Sequence, residues 1–99
     1  MFVVTITYTA PLERIDELVA AHREWLDRNY EAGVLLASGP RVPRAGGILL
    51  ARAMDRAELD AVLAEDPFAE AGVATHQVLR FMPTKTAAEL DFLREQPVA

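Results

Sequence analysis

Phe2-Val3-Val4-Thr5-Ile6-Thr7-Tyr8 opens the chain, and every residue from Val3 to Tyr8 is β-branched or aromatic. Such side chains pack well on a pleated surface, so the run reads as a strand. Its even positions Phe2, Val4, Ile6 and Tyr8 make one strongly apolar face. Two further runs, Val34 to Ala37 and Ile48 to Ala53, carry Leu35-Leu36 and Ile48-Leu49-Leu50 without a polar interruption. A sheet with one wet face alternates apolar and polar residues. These strands are instead apolar on both faces, so both faces need cover, and the second cover is expected from another sheet packed face to face.

Working outward, Pro11 suits the first turn of a helix, and Leu12, Ile15, Leu18, Val19, His22, Leu26 and Tyr30 then keep helical spacing to an end near Gly33. The segment Ser38 to Gly47 is full of turn formers and reads as the long, shaped loop of a hairpin. Asp55 and Glu58 are spaced as a capping-box variant ahead of Leu59, Val62 and Leu63, starting a second helix that stops before Asp66-Pro67. Val73 to Met82 is the last strand, and Thr86 with Glu89 is placed to cap a short terminal helix carrying Leu90 and Leu93. The order is β-α-β-β-α-β plus a tail helix. Two helices in this order fall on one side of a four-stranded antiparallel sheet, the ferredoxin-like α+β arrangement. With no repeat or linker to divide them, residues 1–99 are expected to form one domain.

A chain of 99 residues buries only about two-thirds of the surface its unfolded form exposes, so a single core is possible with little to spare. The apolar-rich composition with few Gly and Pro argues for a packed globule. No apolar run approaches the roughly 20 residues that span a bilayer, and Met1-Phe2-Val3-Val4 lacks a basic leader, so a cytoplasmic, non-membrane protein is expected. The absence of cysteine removes disulfides and thiol catalysis and fits a reducing compartment. A net charge of −5 with no basic stripe lacks the electrostatic drive for nucleic-acid binding.

His22 is the most informative position. It lies on the apolar stripe where a Leu would be expected, so it faces the sheet or a pocket beside it, and imidazole alone among side chains has an unperturbed pKa close to neutral pH. It is either a core histidine satisfied by one hydrogen bond or a proton-transfer group. Asp66 before Pro67 looks like the start of a helical turn, where it either caps the turn or orients an imidazole for acid–base work. Ser38 ahead of Gly39-Pro40 can bind a ligand oxygen, but it lacks the setting of a nucleophile elbow. Arg41 and Arg44 flank Pro43 and can hold a carboxylate. His76, in the last strand, makes with His22 a total of two imidazoles without the HExxH spacing, so no metal site is expected. Gly46-Gly47 stands alone before a strand and is no phosphate loop, so no nucleotide cofactor is implied. Trp25, Leu26 and Tyr30 read as core and rim packing.

Taken together, several stretches resemble the YCII-related (YciI-like) family of small proteins. They are His22-Arg23 and Trp25-Leu26, Gly33 through Pro40, Gly46-Gly47-Ile48-Leu49, Asp55-Arg56-Ala57-Glu58-Leu59 and Glu65-Asp66-Pro67-Phe68, and they cover nearly the whole chain. The resemblance implies a ferredoxin-like fold dimerised through its sheets, as in muconolactone isomerase and other dimeric α+β barrel proteins. It also implies a His–Asp catalytic dyad at His22 and Asp66, and a pocket lined by the Ser-Gly-Pro segment at Ser38. A related enzyme is regarded as a dehydrochlorinase of a hydroxylated aromatic compound that works without metal or organic cofactor. His76 stands where an aromatic such as Tyr would be expected. The reading is a homodimeric, cofactor-independent enzyme of lyase or isomerase type acting on a small polar or aromatic compound. His22 and Asp66 are its catalytic residues, and Ser38, Gly39, Arg44 and Phe68 are its substrate-binding residues. The alternative is a ligand-binding or assembly module of the same fold that does no chemistry.

Overall fold

The first strand pairs on both sides. In the computed structural model, which describes residues 1–96, β1 (Phe2–Tyr8) lies between β3 (Gly46–Ala51) and β4 (Ala74–Arg80), and β2 (Leu35–Pro40) flanks β3. The order β2-β3-β1-β4, antiparallel throughout, is the ferredoxin-like sheet expected of the sequence. The remaining elements are α1 (Leu12–Asp16), α2 (Val19–Glu31), α3 (Arg56–Ala64), α4 (Pro67–Glu70) and a 3₁₀ turn over Ala88–Leu93. Residues 97–99 of the expected single domain lie outside the described residues.

Register explains the core. Phe2, Val4 and Ile6 point to the helices and are at most 2% exposed, with Val4 opposite Leu49 and Val78, and Ile6 opposite Gly47 and His76. Ile15, Trp25, Leu59, Leu63 and Phe68 pack on them from the helical layer. Burial of each such side chain stabilises the fold by roughly 1.5–3 kcal/mol, so the β1 face and its helical cover dominate the energetics.

The other face of the sheet is graded. Val3 stands opposite Leu50 and Leu79, whereas Thr5 faces Ile48 and Gln77, and Thr7 faces Gly46 and Thr75. One end of this face is therefore apolar and the other polar. Val3, Ile48 and Leu50 are half-buried, and Leu79 is 59% exposed. The uninterrupted Leu35-Leu36 has a local cause, since a register shift between Leu35 and Ala37 takes up Leu36 as a bulge.

Five local readings need correction. The helix after Pro11 is not continuous, because Glu17 and Leu18 form a turn that separates α1 from α2. The Leu18 amide bonds to the Ile15 carbonyl at 2.9 Å, three residues back, which re-phases the stripe. Ile15 and Trp25 become its fully buried members, while Leu12 and Tyr30 are left 42% and 39% exposed. Strand pairing also invades the expected hairpin loop, since Ser38, Gly39 and Pro40 pair with Leu49, Ile48 and Gly47. Pro40 is tolerated because β2 is an edge strand. Asp55 precedes α3 without a side-chain cap bond, and the residue before the 3₁₀ turn is Ala87 rather than Thr86. Finally, the last strand is narrower than expected, running Ala74–Arg80.

Gly46 has a steric reason to be glycine. A Cβ there would lie 1.8 Å from the Ile6 carbonyl oxygen, so no larger residue fits while β1 and β3 stay paired. Beyond β4 the chain returns to the N-terminus, where the Met1 amine bonds to Glu95 at 2.5 Å and to the Phe81 carbonyl at 3.0 Å. Leu93 is half-buried in this return, whereas Leu90 and Phe92 are 44% and 64% exposed. Among the described residues no helix is long and apolar enough to cross a membrane.

Candidate functional site

Asp66 is the one buried polar or charged side chain among the described residues, at 0% exposure. Local chemistry puts it there. Pro67 sets the first turn of α4, and Asp66 caps that turn by accepting the Phe68 amide on Oδ1 at 3.0 Å. Its position below α2 then brings Nδ1 of His22 to 2.8 Å from the same oxygen. Capping and orienting the imidazole, which sequence left as alternatives, are both done by one carboxylate.

The second oxygen, Oδ2, receives Nε2 of His76 from β4 at 2.9 Å. His76 was the residue that spacing alone did not place. Its signal lay in the strand's two-residue period, for Ala74, His76 and Val78 share the inward face while Thr75, Gln77 and Leu79 point away. A polar residue at an inward position needs a partner, and Asp66 is that partner. The sets of hydrogen bonds are complete, with no buried side-chain nitrogen or oxygen among the described residues left unpaired.

These contacts decide the charge on Asp66. Burial by itself raises the pKa of a carboxyl, but hydrogen bonds from His22 and His76, the nearby His22 charge and the Phe68 amide together outweigh it and bring Asp66 down to about 2. The group is an anion at neutral pH, and therefore an acceptor only. His22 Nδ1 and His76 Nε2 must each donate to it.

His22 has its other ring nitrogen, Nε2, without a protein partner among the described residues. The ring is held parallel to that of Phe68, centroids 4.1 Å apart and planes 12° apart, and lies 5.6 Å from the Trp25 ring. His22 lines a cavity of about 570 Å³. That is the size of a small-molecule site. Ile6, Tyr8, Leu26, Leu49 and Phe68 give it apolar walls, and Ser38, Gly39 and Arg44 also line it.

Thus His22, Ser38, Gly39, Arg44 and Phe68 share one cavity, while Asp66 and His76 stand behind its wall. Ser38 Oγ lies 2.6 Å from the Tyr30 hydroxyl, so two hydroxyls meet at the end of β2. Arg44 bonds to Asp16 at 2.6 Å and has its guanidinium 6.0 Å from the Tyr8 ring centroid. Both Arg44 and Asp16 line the cavity, so this ion pair stands at its edge. Arg41 is exposed and is not part of the wall. No group of three or more His, Cys, Asp or Glu side chains among the described residues is arranged to hold a metal ion.

No curated protein matches the chain. Among solved structures it is similar to the 5-chloro-2-hydroxyhydroquinone dehydrochlorinase (TftG) of Burkholderia phenoliruptrix AC1100, determined as a complex with 2,5-dihydroxybenzoquinone. The TM-score is 0.69 and the identity 21%, over 84% of this chain and 95% of that one, a likeness of fold. The model of the YCII-related domain matches residues 1–82, which hold the whole four-stranded sheet and α1 to α4, and the chain belongs to that family.

Proposed function

We propose that the protein is a cofactor-independent acid–base enzyme of lyase type acting on a small hydroxylated ring compound, with His22 as the proton-transfer group. The observation that carries this is the pairing of a fully buried carboxylate with Nδ1 of an imidazole whose residue lines a cavity. Nδ1–H bonded to Asp66 leaves the Nε2 lone pair of the neutral ring as the base, and Asp66 stabilises the imidazolium once the proton has moved. Loss of HCl from a ring needs one proton taken and one chloride expelled, and a single base of this kind supplies the first of these. The same imidazolium can return its proton to a carbon or an oxygen, which also fits an isomerase. Apolar walls and the Ser38 hydroxyl, held at its back by the Tyr30 hydroxyl, suit a flat ring bearing oxygens. Arg44, drawn from Asp16, can meet a negative oxygen. Likeness of fold to a dehydrochlorinase supports lyase chemistry of this class.

The reading includes a homodimer formed through the sheet face that carries Val3, Ile48, Leu50 and Leu79, where a second copy removes apolar surface from water. The functional test is turnover of a panel of hydroxylated and chlorinated aromatics and lactones by the wild type and by His22→Gln. A positioned acid–base group contributes roughly 100- to 10,000-fold, so the variant is expected to lose about that factor. Equal turnover by a folded His22→Gln variant would remove His22 from the chemistry.

A further inference from the structure

Asp66 has two oxygens, and each has its own imidazole: His22 Nδ1 on Oδ1 at 2.8 Å and His76 Nε2 on Oδ2 at 2.9 Å. The two rings come from opposite sides, one from α2 and one from β4, and each side chain is only 12% exposed. Oδ1 has a second donor in the Phe68 amide, but among the described residues Oδ2 has His76 alone. Removing that donor leaves a buried acceptor oxygen unpaired.

With Oδ2 unpaired the carboxylate can turn to seek another donor; Oδ1 is then no longer held against His22 Nδ1, and the neutral ring is free to carry its hydrogen on Nε2. That is the wrong tautomer for a base that must take a proton at Nε2. On the reading of His22 given above, we infer that His76 is a positioning residue: by donating to Oδ2 it fixes the carboxylate with Oδ1 turned to His22 Nδ1, and so keeps Nε2 of His22 bare.

The inference predicts opposite tautomers for the two rings of the folded wild type. In long-range ¹⁵N–¹H spectra of histidine-labelled protein at about pH 9, where imidazole is ordinarily neutral, His22 should be the Nδ1–H form and His76 the Nε2–H form. His76 in the Nδ1–H form would overturn it without any variant. His76→Gln, whose amide can donate from nearly the same place, is expected to keep the His22 tautomer. His76→Leu is expected to shift His22 toward Nε2–H and to lower kcat by at least about tenfold with KM little changed. A folded His76→Leu variant with His22 still Nδ1–H would contradict it, as would a folded His76→Gln variant with His22 turned to Nε2–H. The spectra need no substrate. If the wild type turns over nothing in the panel, the enzyme reading fails while the tautomers still decide the role of His76.

Discussion

The carboxylate of Asp66 accepts from the Phe68 amide, from His22 and from His76, and its acidity follows from those three donors set against its own burial. The native group titrates at about 2, against 3.8 for the ordinary carboxyl. Between those values the unfolded chain holds a proton that the folded chain does not, so stability is present above about pH 4 and is lost as the pH falls toward 2. A shift of this size corresponds to roughly 2 kcal/mol. Urea unfolding at about pH 5 and about pH 2 should therefore show a loss in the wild type that exceeds the loss in Asp66→Asn by about that amount. His22 and Asp66 were both legible in sequence, one as a polar residue on an apolar stripe and the other as an Asp before Pro. Their meeting was not, because 44 residues separate them and only the sheet order brings α4 beneath α2. His76 escaped because its strand carries apolar residues in both phases, Ala74 and Val78 in one and Val73 and Leu79 in the other, so the pattern alone did not mark the inward face.

At the scale of elements, β1 was the most legible, since its β-branched run and apolar even face are local properties. The hairpin was less so. Ser38-Gly39-Pro40 has turn composition yet pairs with β3, because an edge strand needs hydrogen bonds on one side only and tolerates proline. Gly46-Gly47 likewise reads as a turn and proves to be the start of a strand with no room for a side chain. Gly46→Ala would set its Cβ 1.8 Å from the Ile6 carbonyl oxygen, a backbone atom that cannot move without parting β1 from β3. The expected cost is at least about 3 kcal/mol, the upper range for overpacking, and thermal unfolding will measure it. The break between α1 and α2 was invisible for the opposite reason, as apolar spacing across Glu17-Leu18 continues through a turn that only the backbone reveals. Ile15 and Trp25 hold the two helices to the sheet on either side of it.

For the whole molecule, the βαββαβ order was legible because each element carried its own period and the two helices had one side of the sheet to share. The opposite side was read as uniformly apolar, but pairing shows a gradient from Val3, Leu50 and Leu79 to Thr5, Thr7, Gln77 and Thr75. The proposed dimer should therefore depend most on the apolar end. Leu79 is 59% exposed, so a charge there costs the lone subunit little but would be buried unpaired at a sheet-to-sheet contact. Sedimentation should show a wild-type dimer and a Leu79→Glu variant whose dimer is weakened at least about tenfold. The account's central claim is that His22 and Asp66 act as one acid–base unit at the wall of the cavity. It is tested most directly by a double-mutant cycle on kcat/KM with His22→Gln, Asp66→Asn and the pair together, using whichever ring compound the wild type turns over. The account predicts that the double variant is no slower than His22→Gln alone, because Asp66 has nothing to orient once the imidazole is gone. Losses that multiply would contradict it, showing that the carboxylate acts apart from the histidine.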